Sequence, residues 1–255
     1  MRHLNLRKFL LGSGGLLLFI LAWKLVTDAK LVSPIFFPGP ERTYAALKKG
    51  LLGGALLAQT LQTVQRMLLG WLLASFVGIF LGALIGVSKR ARDFIAPTLE
   101  LLRPLPASAM IPVAIAFLGF SDQMVLVVIA FGALWPMLLA TIHGFAAMEP
   151  RLYEVARVLG LSRLQVIWKL ALPSAMPTIL ASLRLGLTIS LILAVVGEML
   201  ASRGGLGQSI LAASRSFRSP DLFAGIVILG AIGLVGSRLL SVAEKRLLRW
   251  QGASR

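Results

Sequence analysis

The chain has no cysteine, which rules out disulfides and thiolate metal ligands. Histidine is almost missing as well. His3 and His143 are the only two, and two imidazoles so far apart in sequence do not suggest a metal centre. Acid is scarce: 10 Asp and Glu stand against 26 Lys and Arg, for a formal net charge of +16. In a soluble protein that surplus would suggest nucleic acid. Here the basic residues lie between apolar runs, and no basic domain with interleaved aromatics stands apart from them, so no nucleic-acid partner is expected. There is also no nucleophile–base pair or metal cluster of the kind an intramembrane enzyme needs, so no catalytic residue is assigned. No internal repeat is visible, which weighs against secondary transporters built from inverted repeats. What fills the chain instead is apolar. It is 57% hydrophobic with a mean hydropathy of +0.86, and runs long enough to span a bilayer recur along it. The fold class this implies is an all-α integral membrane protein, a single transmembrane domain over 1–255.

Six candidate transmembrane helices fall at about 9–27, 62–88, 95–120, 123–143, 178–199 and 222–243. The first follows Arg2, Arg7 and Lys8 and could pass for a secretory signal; Thr27-Asp28-Ala29 is a poor cleavage site, so an uncleaved anchor is expected. The third is interrupted by Pro97, Pro104, Pro106 and Pro112 and should be a broken or tilted helix shielded by neighbours, because irregular backbone cannot face lipid. Basic groups sit at the N-terminus, at Lys89, Arg90 and Arg92, at Arg151, Arg157, Arg163 and Lys169, and at Lys245, Arg246, Arg249 and Arg255. With six spans all of these fall on one side, which the bias of Lys and Arg assigns to the cytoplasm together with both termini. On the other side, Ser33 to Pro40 reads as a stiff extended connector, and Glu41 to Leu52 as an amphipathic helix on the membrane face.

The loop at about 146–175 is the most specific segment. It reads Glu154-Val155-Ala156, three residues, Gly160, nine residues, then Leu170-Ala171-Leu172-Pro173. Physically, Glu154 is expected in the first turn of a helix begun at Pro150, where a carboxylate favours the positive end of the helix dipole. Gly160 should end that helix in a left-handed conformation, and Ser162 should cap a second short helix. Pro173 and Pro177 should then break the chain before the next apolar run. The loop resembles the cytoplasmic coupling loop of ABC importer permeases, whose pattern is E-A-A, three residues, G, nine residues, I-x-L-P. Glu154, Ala156, Gly160, Leu172 and Pro173 match it; Val155 and Leu170 keep apolar side chains of modest size.

The resemblance implies a type I permease subunit of a bacterial ATP-driven importer in the inner membrane. It further implies a second permease copy, two ATP-binding subunits that hold ATP and Mg, and a periplasmic or lipid-anchored substrate-binding protein. This chain is then expected to bind no cofactor. Arg103-Pro104-Leu105-Pro106, Ile111-Pro112 and Gly197-Glu198-Met199 to Gly207 resemble the branch that imports sulfonates, taurine, nitrate and bicarbonate. A small, anionic solute is the corresponding expectation. The alternative is an ATP-independent secondary transporter or channel, which the scarcity of mid-span carboxylates disfavours.

Several faces bear on that function. Gly70, Ala74, Gly78, Gly82 and Gly86 make a small ridge on the second span, suited to close helix packing. Thr178, Ser182, Gly186, Ser190 and Ala194 make a similar face on the fifth, ending at Glu198; it reads as a solute pathway or as packing. Glu100 and Arg103 are three apart on a helix and are expected to pair. Gly204, Gly205 and Gly207 suit a tight turn outside the membrane rather than a phosphate loop, since no Lys-Ser/Thr follows. Arg203, Arg215 and Arg218 oppose the charge bias. They could attract an anionic solute or an acidic face of the binding protein, or anchor to membrane lipid phosphates.

Overall fold

A computed structural model describes residues 2–249, with side chains from residue 14 onward apart from Pro150, Tyr153 and Arg163. Arg2, Arg7, Lys8, Arg163 and Arg255, which entered the orientation argument, lie outside the described side chains. The described residues form helices and contain no strand. The order is α1 (Arg2–Asp28), α2 (Pro40–Leu52), α3 (Ala55–Val87), α4 (Lys89–Leu102), a 3₁₀ turn (Ala107–Met110), α5 (Ile111–Leu118), α6 (Asp122–Ala146), α7 (Pro150–Val158), α8 (Arg163–Val166), a π turn (Ile167–Ala171), α9 (Leu172–Ala201), α10 (Leu206–Arg215) and α11 (Ser219–Leu247).

Among the described residues, four helical stretches are long and apolar enough to cross a membrane: Ala55–Val87, Asp122–Ala146, Leu164–Ala201 and Ser219–Leu247. Lys89–Leu102 and Ala107–Leu118, bent by 79° at the Arg103–Pro106 break, make a fifth if counted together. This is the broken third span expected from its prolines. The first expected span lies in α1, whose early side chains are outside the description.

The core is α3, α6 and α9. Its closeness follows from the small ridge on α3. A Cβ on Gly78 would stand 3.0 Å from Met137 Cβ, and one on Gly86 would stand 2.8 Å from Phe145 Cβ. Ala74 is fully buried against Ala133 and Met137. The ridge therefore packs on a helix of the same chain, with nearest-neighbour backbones close enough for dispersion to hold them in lipid. Gly82 is tightest against fixed atoms: its Cβ would lie 2.6 Å from Thr141 Cβ and 2.8 Å from the Leu138 carbonyl oxygen. A Gly82→Val variant should lose about 1–3 kcal/mol through overpacking, read as a lower unfolding temperature in detergent. Gly15→Val, where nothing stands within 4 Å, should not shift it.

Two expectations fail. The connector after α1 is folded rather than extended: Phe36 and Phe37 N–H both donate to the Ser33 carbonyl at 3.0 Å, and Trp23 Nε1 donates to the Pro38 carbonyl at 3.0 Å. Trp23 stacks on Phe223 there, and Phe37 meets Trp23 tilted and Phe223 edge-on, so aromatic packing outweighs the extended preference of proline-rich sequence. Lys24 also pairs with Glu41, joining α1 to α2 and holding that carboxyl below its ordinary range. The second failure is the expected break at Pro173 and Pro177. Helix runs from Leu164 to Ala201 through both. The π turn just before them spaces the backbone hydrogen bonds more widely, and Pro173 sits in the first turn of α9, where its missing N–H is tolerated.

Candidate functional site

Three features converge on α6 and α9. The first is the loop beyond α6. Helix α7 ends as expected, with Gly160 at φ +64°. Leu161 N–H donates to the Ala156 carbonyl at 2.9 Å and Gly160 N–H to the Arg157 carbonyl at 3.1 Å, the paired bonds of a left-handed C-terminal cap. Ser162 caps α8 reciprocally: its Oγ accepts from Gln165 N–H at 3.3 Å while Gln165 Oε1 accepts from Ser162 N–H at 2.8 Å. Glu154 is not in the first turn. It is the fifth residue of α7, exposed, and Glu149 occupies the cap position instead. The helix begins at Pro150 because proline suits the first helical position, which leaves Glu154 a turn too far along to serve the N-terminus.

The loop has two unlike faces. Ala156 is buried, and Ala171 packs with Phe145, Met148, Ala175 and Ile179, which fixes the loop to the ends of α6 and α9. Leu172 and Pro173 are half-buried at that junction. The other face shows Val155 49%, Val158 87%, Leu159 66% and Trp168 63% exposed. Apolar side chains presented together on a capped, rigid loop mark an interaction surface. The sequence reading picked out Val155 but not Val158, Leu159 or Trp168; their exposure depends on how the loop is docked.

The second feature is a groove of ≈ 800 Å³ between α6, α9 and the break after α4. Its apolar walls include Leu105, Leu139, Leu185, Ile189 and Ile192, with Trp135 beside them. Of the face expected on α9, Thr178 and Ser182 line it. Gly186, Ser190 and Ala194 are buried against the core instead, and Ser190 Oγ donates to the Gly186 carbonyl at 2.8 Å. Glu100 and Arg103 form no ion pair among the described residues; Arg103 turns to the groove wall.

The third feature lies at the far end of α9 from the loop. Glu198 is fully buried and accepts from Thr63 Oγ1 at 2.9 Å, from Arg66 Nη1 at 2.9 Å and from Gly207 N–H at 3.0 Å. Arg66 also reaches Asp122 Oδ1 at 2.9 Å and the Gly204 carbonyl. Asp122 receives Arg203 at 3.0 Å. Thr63 Oγ1 in turn accepts from Leu206 N–H at 2.8 Å. The glycine turn is thus shaped by a carboxylate: a Cβ on Gly205 would collide with Glu198. This network joins α3, α6, α9 and α10. Arg66, Thr63 and Asp122 escaped the sequence reading, although a lone Arg in the apolar run of α3 was the available signal.

The outer arginines are separated by their partners. Arg203 belongs to the network, and Asp122 keeps its guanidinium more firmly protonated than usual. Arg218 pairs with Asp221 at 3.3 Å. Arg215 is exposed and has no acidic partner among the described residues.

Similarity to known proteins agrees with this architecture. SsuC of Bacillus subtilis (strain 168), named as a candidate permease for aliphatic sulfonates transport, is 34% identical over 242 residues, 94% of this chain and 88% of that protein. The taurine transport system permease protein TauC of Escherichia coli (strain K12) is 28% identical over 251 residues, covering 96% of this chain and 91% of TauC. Among solved structures, the MetNI methionine ABC transporter in inward-facing conformations shares the fold, with a TM-score of 0.66 at 17% identity, over 76% of this chain and 96% of that one. Residues 74–249, which hold α6, α9, the loop, the groove and the later part of α3, match the family described as binding-protein-dependent transport system inner membrane component, and the chain belongs to that family.

Proposed function

We propose that this chain is the membrane-spanning half of an ATP-driven importer, dimerising with a second copy, each copy gripped at its α7–α8 loop by one of two ATP-binding subunits. The observation that carries this is the loop itself: an exposed apolar face on a capped helix pair whose back is welded to α6 and α9. Movement imposed on such a loop passes to the core helices, because packed interiors transmit displacement rather than absorb it. Glu154, Val155, Ala156 and Gly160 form the gripped helix, and Leu172 and Pro173 form the joint. ATP and Mg belong to the partner subunit, which performs the hydrolysis. A binding protein delivers solute on the opposite face, where Arg215 offers an exposed positive contact. Both termini and the basic loops face the cytoplasm, and the inner membrane of a bacterium is the setting.

Relatives named for aliphatic sulfonates and taurine transport support a small anionic solute. The groove along α6 and α9 is the proposed path, with Thr178 and Ser182 on its wall. The test is reconstitution of the chain with its ATPase and binding protein in liposomes. Uptake of labelled sulfonate, taurine or nitrate should need ATP and all three components. Uptake by the chain alone, driven by an ion gradient, would establish the ATP-independent transporter instead.

A further inference from the structure

Resting on the reading of the groove as the path, we infer that Arg103 selects the solute by charge, and that the solute is a small organic anion with an apolar body. The guanidinium stands at the 79° break between Lys89–Leu102 and Ala107–Leu118. An ionised side chain at such a place either meets a counter-charge or faces a watered cavity. Arg103 has no acidic partner among the described residues, and it lines the groove.

The lining contains no Asp or Glu, and Arg103 is the one Lys or Arg in it. A cation entering would meet repulsion with nothing to offset it. An anion would find a planar fork of donors that fits carboxylate or sulfonate oxygens two at a time. Ser108 and Thr178 are exposed on the same walls and add hydroxyl donors. The remaining wall is apolar, including Leu105, Leu139, Leu185 and Ile192, and would strand a bare inorganic ion without enough polar partners. An anionic head on a short apolar body satisfies both surfaces.

The absence of cysteine makes the test direct. Thr178→Cys is placed in the full-length chain, in membranes with its partner subunits. Its reaction rate is compared between anionic sulfonatoethyl methanethiosulfonate and cationic trimethylammonium-ethyl methanethiosulfonate, each normalised to a free thiol. The anionic reagent should be favoured, and adding Arg103→Gln should lower that preference on the order of tenfold. Arg103→Lys should keep most of it. A Cys at Val158, on the loop, should show no dependence on Arg103. Arg103→Met replaces Arg103→Gln if the latter fails to accumulate. An unchanged ratio at Thr178→Cys, or failure of that cysteine to react with either reagent, overturns the inference. This readout needs no transport. A complex that lacks ATP-driven uptake yet shows the shift would sink the importer reading and leave the anion-selecting groove standing; normal uptake with an unmoved ratio would do the reverse.

Discussion

Arg66→Leu should destabilise the protein by about 3–5 kcal/mol, enough to remove most of it from the membrane, because it strips the counter-ion from a fully buried carboxylate. Glu198 has 0% side-chain exposure and Arg66 13%, so water cannot take over the missing role. Thr63 Oγ1 and Gly207 N–H would remain as donors, but neither carries charge. Glu198→Leu should be milder. It leaves Arg66 still bound to Asp122 and to the Gly204 carbonyl, and the Thr63 hydroxyl keeps the Gln59 carbonyl at 3.2 Å, so its main loss is the unpaired Gly207 N–H, about 1–3 kcal/mol. Combining the two changes should recover much of the Arg66→Leu loss, since a buried pair replaced by apolar side chains is often neutral. Unfolding temperatures of the purified variants measure this order directly. Equal losses for the two single variants would show that the network is not organised around Glu198.

The second large effect concerns Gly160. Gly160→Val should leave insertion and detergent stability close to wild type but cut ATP-driven uptake by on the order of tenfold or more. The conformation alone opposes the change. At φ +64° a β-branched side chain is strained by roughly 1–3 kcal/mol, while nothing stands within 4 Å of the added Cβ. The strain can be relieved by unwinding the end of α7, which would let Val158 and Leu159 leave their places on the exposed face. Gly160→Asn tolerates the left-handed region better and should retain most uptake. Transport at wild-type level in Gly160→Val, with the protein inserted, would remove the loop from the coupling mechanism.

How much of this was legible beforehand differs by element. The spans at 123–143, 178–199 and 222–243 lie within helices found in the structure, and that at 62–88 overruns its helix by one residue, because an apolar run of that length has few other options in lipid. The cap at Gly160 and the Ser162 cap were also legible, since both depend on residues within one turn. The proline break expected before α9 does not form: local preference favours a stop, but the π turn at Ile167–Ala171 and burial of Ala171 and Ala175 carry the helix through. The ridge from Gly70 to Gly86 marks a packing face in the sequence, but only the structure identifies its partner as α6.

By itself, then, the sequence determined the helical class, four of the apolar spans, the loop and its caps, because these follow from composition and from interactions a few residues apart. The tertiary structure alone decided which polar residues meet. Thr63 and Glu198 are 135 positions apart in the chain, and Arg66 and Asp122 are 56 apart. No periodicity links such residues. Their union depends on how closely α3, α6 and α9 pack, and the same packing decided that Ser190 and Ala194 are buried while Thr178 and Arg103 face an open groove.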